Sequence, residues 1–201
     1  MSDPVKRMDL ADWYLLGHDF KRGEVELVVR PKLTWDEASG IVLGREPPPA
    51  QFTLLKRKGN RWTDDLFLDG LRGHVVSDRV VHLLQEGCVS GWRAIDAGIE
   101  AGDSNRTDYK VLLITGRCGP LLDDQNPMVD RQSITSKGRE EYQVKIGYLV
   151  DPASWDGSDI VSPEGTALPF VHERVKRTLE SEGVTGFTFV KITEKERLGG
   201  I

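Results

Sequence analysis

Asp64, Asp65, Asp69, Asp123 and Asp124 are the residues of this 201-residue chain with the most direct chemistry on offer. Hard divalent cations take several carboxylate oxygens at once, so these side chains gathered in one place would hold such an ion and support a carboxylate-dependent, metal-assisted hydrolysis. Adjacent aspartates more often sit in turns, where the short side chain bonds the local backbone, and that reading assigns them no metal. His18, His74, His82 and His172 are far apart and lack the i, i+4 spacing of a helical zinc pair, so surface or helix-capping roles are expected. Cys88 and Cys118 cannot close a tetrahedral site without histidine, and free thiols of a reducing compartment are expected. No G-x-S-x-G, no glycine-rich phosphate loop and no cysteine in a recognisable histidine context occurs. No catalytic, cofactor-binding or metal-binding residue is therefore assigned, and no cofactor is expected.

Recognition is the remaining chemistry. Exposed irregular segments carry it more often than packed helices do, which directs attention to residues 57–69 and 121–138. The candidate partner-binding residues in them are Arg57, Arg61, Trp62, Asp64, Asp65, Asp123, Asp124 and Asp130. A net charge of −5 argues against nucleic acid, which demands a concentrated basic face, and suits a basic protein partner. The one basic run, Lys56, Arg57, Lys58 and Arg61 around Gly59 and Asn60, reads as a solvated hairpin tip. Nothing approaches the roughly eighteen apolar residues of a membrane span, and residues 1–10 lack the apolar core of a secretory signal, so a cytoplasmic protein is expected. The sequence leaves oligomeric state open.

The elements that must position these residues mix strand and helix. Residues 13–20 and 24–30 read as a hairpin around Lys21-Arg22-Gly23. Thr34 and Glu37 have capping-box spacing and start a short helix. The alternation at 51–56 suits a strand with 62–68 returning beside it, and 109–115 reads as a strand buried on both faces, stopped by Gly116 to Pro120. Residues 123–138 show no period and are expected to form an exposed loop before a strand at 142–150.

Val76 to Trp92 recurs without a gap as Val171 to Phe187, with six identities in seventeen positions: Val76/Val171, Arg79/Arg174, Val80/Val175, Leu84/Leu179, Val89/Val184 and Gly91/Gly186. Unrelated segments would share about one or two. Ser77 is placed to cap the first helix, and Gly183 to close the second. The fold class expected is α+β: one domain over residues 1–201, with a mixed or antiparallel sheet carrying two pseudo-repeated helix-strand units and a fraying tail from 194.

Two groups of residues carry a resemblance. Asp159-Ile160-Val161, the run Phe170 to Arg177 and the run Gly183 to Phe189 form one; Val76 to Val80 with Val89 to Trp92 form the other. Together they resemble immunity proteins of bacterial polymorphic toxin systems, the family numbered eleven, related to the myxobacterial double-CxxCG proteins. The resemblance covers the last two-thirds of the chain and rests on structural residues, so no active residue is carried across. Thr115-Gly116-Arg117-Cys118-Gly119 keeps only one cysteine of a CxxCG knuckle, so the zinc of the cysteine-bearing relatives is not expected. What the resemblance implies is stoichiometric neutralisation of a cognate, basic protein toxin. The alternatives are the metal-assisted hydrolase above and a purely structural interaction domain.

Overall fold

The computed structural model describes residues 8–71, 73–102, 104–135 and 138–198. Along the chain come β1 (Trp13–His18), β2 (Glu26–Arg30), α1 (Trp35–Val42), β3 (Thr53–Lys58), β4 (Asp65–Asp69), β5 (Gly73–Ser77), α2 (Asp78–Glu86), β6 (Trp92–Asp96), β7 (Ile99–Ala101), β8 (Ser104–Arg106), β9 (Tyr109–Ile114) and β10 (Gly116–Pro120). After them come β11 (Met128–Thr135), β12 (Gly138–Ile146), β13 (Ile160–Glu164), β14 (Phe170–His172), α3 (Glu173–Ser181), β15 (Phe187–Lys191) and β16 (Glu196–Leu198).

This overturns the α+β expectation of two helix-strand units on one mixed sheet. Strands take 45% of the structure against 19% for helix, and they form three sheets: eight strands curled as a half-barrel, five strands, and three. The helices are eight and nine residues long, too short to cover a sheet as a layer of their own. Several strands have no local signature. Gly116 to Pro120, expected to stop a strand, is one, paired in parallel with β13, and the expected loop at 123–138 contains β11, paired along its length with β12. The expected hairpin of residues 13–30 is absent: β1 lies between β14 and β15, while β2 lies between β3 and β4. Long-range pairing decides in each case, because strand formation follows the neighbour and the burial more than intrinsic preference. No helix among the described residues is long and apolar enough to cross a membrane.

The order β6-β9-β5-β4-β2 within the large sheet has the same sense at every junction as the order β15-β1-β14-β13-β10 of the five-stranded sheet: three antiparallel pairings, then one parallel. Asp65 faces Val76 as Ile160 faces Val171, each partner 95 positions on, as Val171 follows Val76. Two strands are exchanged. The first half's β1 sits in the five-stranded sheet, and β9 takes its place in the large one.

The crossed halves are joined by reciprocal polar contacts between residues of the sequence match, the pairs Arg79/Arg174 and Ser90/Thr185, and two aspartates upstream of it, Asp64 and Asp159. Asp64 accepts hydrogen bonds from the Thr185 N–H at 3.0 Å and hydroxyl at 3.1 Å, and from the Ser77 hydroxyl at 2.9 Å. Asp159 accepts from the Ser90 N–H at 2.9 Å and hydroxyl at 2.8 Å. Arg79 stands 3.7 Å from Asp64 and donates to the Glu182 carbonyl at the end of α3. Its counterpart Arg174 pairs with Asp159 and donates to the Gly87 and Cys88 carbonyls at the end of α2, at 2.9 and 3.1 Å. Each arginine therefore starts one helix and satisfies the orphan carbonyls at the end of the other, where a cation also meets the favourable end of the helix dipole.

The five-stranded sheet is buried on both faces, so alternate residues enter different cores. Tyr14, Leu16, Ile160 and Val171 join the large core with Val80, Leu84, Val175 and Leu179 of the two helices. Trp13, Val161 and Phe170 join a second core with Cys118, Tyr148 and Ile192. The sequence features that did specify local structure are the caps: Thr34 and Glu37 form the complete capping box, and Ser77 accepts from the Val80 N–H.

Burial works to raise the Asp159 carboxyl, but hydrogen bonds from Arg174 and Ser90 outweigh it and hold it below the usual range. A carboxylate depressed on folding adds stability above its unfolded value, about 3.9, and loses it as pH falls through the folded one. Asp159→Asn should therefore be less stable than wild type at pH 7 by about 1–3 kcal/mol. The gap should narrow below about pH 4. Denaturant titrations across pH check this, and a gap that stays constant into acid contradicts it.

Candidate functional site

Three ionisable side chains meet where the two exchanged sheets touch. β1 ends at His18, β4 begins at Asp65 across from it, and β5 carries His74 beside Asp65. Asp65 is fully buried, and its carboxylate lies between the imidazoles. His74 Nδ1 is 3.0 Å from both oxygens. His18 Nδ1 is 2.7 Å from Oδ2. That second contact is close but misdirected for a hydrogen bond, so the buried His18 Nδ1 has no aligned partner among the described residues. The imidazole rings stack at 4.2 Å between centroids, and Phe67 meets His18 edge-on at 5.2 Å.

The backbone around the trio leaves no slack. Asp65 N–H donates to the Thr185 carbonyl at 3.1 Å, and the next residue, Gly186, has φ +95°. A Cβ on Gly186 would stand 2.4 Å from the Asp65 carbonyl oxygen, so only glycine lets β15 approach this closely. Gly91 does the same against Ile160 in the other half.

Burial holds His74 below the usual imidazole range; Asp65 opposes this and His18 adds to it. The neutral imidazole therefore dominates at pH 7. Among the described residues, Asp65 has no lysine or arginine in ion-pair contact, only the two imidazoles. His18 and Asp65 open onto a cavity of about 280 Å³ whose wall includes Phe20, Glu24, Phe67 and Gly186. A carboxylate beside an imidazole at a cavity can orient a general base. Two imidazoles and a carboxylate within 4.8 Å of one another can also ligate a metal.

The carboxylates of the alternative, metal-assisted reading lie apart. Asp64 is engaged in the contacts that join the halves, and Asp69 pairs with Arg57 at 3.1 Å. Asp123 pairs with Arg197 at 2.9 Å, while Asp124 is exposed on the same 3-10 turn. Of the candidate partner-binding residues, Arg57 also reaches Glu26 at 3.2 Å, and Arg61 is exposed on a bridge to Glu24. Trp62 lies half-buried beneath the Arg106 guanidinium, 4.4 Å from its ring centroid. Asp130 is exposed on β11 and accepts from Gln143 at 2.9 Å. Asp65 is the one withdrawn completely from the surface. His82 and His172 hold the surface and capping positions expected of them, beside Glu86 and at the start of α3. His18 and His74 do not. Extending the repeat upstream would have exposed the site, because it places Asp65 in the same column as Ile160, a charge against an isoleucine.

No protein-family model matches the chain, and a search of curated proteins returns no match.

Gly186→Ala should lower stability by roughly 1–3 kcal/mol through the combined clash and positive φ. Gly23→Ala, with φ +87° but open space around it, should lose less, and equal losses would show that the approach to Asp65 is unimportant. The thiols give a second check. Burial pushes Cys118 up to about 12, whereas Cys88 is exposed. At pH 8 a thiol reagent should modify one cysteine per folded chain and both after denaturation; rapid double labelling of the folded protein would contradict the second core.

Proposed function

We propose that the chain is a protein-binding module of the immunity type, acting in the cytoplasm by occupying a basic toxin rather than by making or breaking a bond. One observation carries the reading. Residues of the resemblance, namely Arg79, Ser90, Asp159, Arg174, Thr185 and Gly186, join the crossed halves together with Asp64. What they build is a preformed shape, and a preformed surface loses less conformational freedom on docking than a mobile one.

The surface that suits a partner is the β11–β12 arm. β11 is an outer strand of the three-stranded sheet, so one of its edges is available for strand addition. Met128 and Tyr142 are large side chains left exposed on opposite faces of the arm, Met128 across from Lys145 on the face that carries Asp130, and Tyr142 across from Arg131 on the face that carries Glu140. The net charge of −5 favours encounter with a basic partner.

The test expresses the reading frames that flank this gene, one of which the proposal expects to encode a growth-arresting basic toxin. Co-expression with the wild-type chain should restore growth and yield an equimolar complex. Met128→Asp with Tyr142→Asp should weaken the complex by at least about tenfold, the effect of losing one modest hot spot. Growth rescue by far less than one chain per toxin would contradict neutralisation by occupancy, and so would the lack of any complex.

A further inference from the structure

We propose that His18, Asp65 and His74 bind one divalent transition metal ion of the zinc class, with a remaining coordination position open to the cavity lined by His18 and Asp65. This goes beyond the toxin-binding reading and does not depend on it. The donor set comes first. Two imidazoles and a carboxylate converge within 4.8 Å, the combination and number of protein ligands that zinc takes where a fourth position stays open. Donors about 2.0–2.2 Å from a tetrahedral ion lie roughly 3.4 Å apart. The present 2.7 and 3.0 Å contacts would thus open by about half an ångström, a small rotation of each ring.

Charge is the second observation. Asp65 is completely buried, and among the described residues its ion-pair contacts are two imidazoles rather than an ammonium or guanidinium, so its carboxyl group has no fixed cation beside it. His18 Nδ1 adds a buried donor atom with no aligned hydrogen-bond partner among the described residues, 2.7 Å from the same carboxylate.

The fold itself supplies the third. Ile114 faces Trp92 in the large sheet as His18 faces Phe187 in the other, and Ile160 holds the place of Asp65. Pro169, 95 positions after His74, completes the comparison. The same junction in the other half is therefore Ile, Ile and Pro, with both isoleucines buried. Apolar side chains suffice to pack this place, so packing alone does not account for three ionisable ones there.

The experiment titrates the metal-stripped full chain with Co²⁺ and with Zn²⁺, reading stoichiometry, the visible spectrum of bound Co²⁺ and the thermal midpoint. The wild type should take up one equivalent, give the spectrum of four-coordinate cobalt, and gain thermal stability with Zn²⁺. Asp65→Asn should weaken binding by more than the roughly 10- to 100-fold lost when an outer-shell partner of a metal is removed. His18→Ile with Asp65→Ile copies the other half, so it should keep the wild-type circular dichroism and neither bind metal nor gain stability from it. No uptake by the wild type would overturn the proposal and leave the trio as a hydrogen-bonded imidazole–carboxylate group. Uptake persisting undiminished in either variant would place the ion elsewhere and overturn it equally.

Discussion

The rest of the structure depends on two aspartates that each bind the opposite half. Asp64 and Asp159 stand just before β4 and β13, and each accepts from the N–H and hydroxyl of a Ser or Thr in the other half's turn. Each is also paired with an arginine whose remaining donors close a helix end across the junction. The acceptors are carboxylates and the donors include guanidinium and backbone N–H, the stronger class of hydrogen bond. Because the contacts are reciprocal, neither half can move away without breaking both sets.

This junction fixes where chemistry can occur. Exchange of β1 and β9 brings the end of one sheet against the start of a strand in the other, at His18 and Asp65 in one half and at Ile114 and Ile160 in the other. One junction is packed with hydrocarbon. The other holds a buried carboxylate between two imidazoles beneath an open cavity. Near-symmetry thus acts as an internal control, separating what the architecture requires from what was added to it.

Local signals were legible in the sequence. The capping box at Thr34 and Glu37, the cap at Ser77, the helices of the repeated segments and the positive φ at Gly183 each depend on neighbours a few residues away. Pairing was not. Lys21-Arg22-Gly23 looks like a hairpin turn, yet the strands on either side go to different sheets. Gly116-Arg117-Cys118-Gly119-Pro120 has almost no strand character and becomes a strand because β13 lies beside it. The α+β expectation failed for this reason: amphipathic helices announce themselves by period, whereas short strands are revealed only by their partners. The site was hidden by the same limit, since His18 and Asp65 belong to separate sheets and meet only through the exchange.

A double-mutant cycle tests the central claim most directly, pairing Asp159→Ala with Ser90→Ala and, in parallel, Asp64→Ala with Thr185→Ala, with unfolding free energies measured for all single and double variants. Reciprocal locking predicts a coupling of about 0.5–3 kcal/mol in both cycles, the range for residues sharing a hydrogen-bond network. Simple additivity in either cycle would contradict it, because that half would then be held by packing alone.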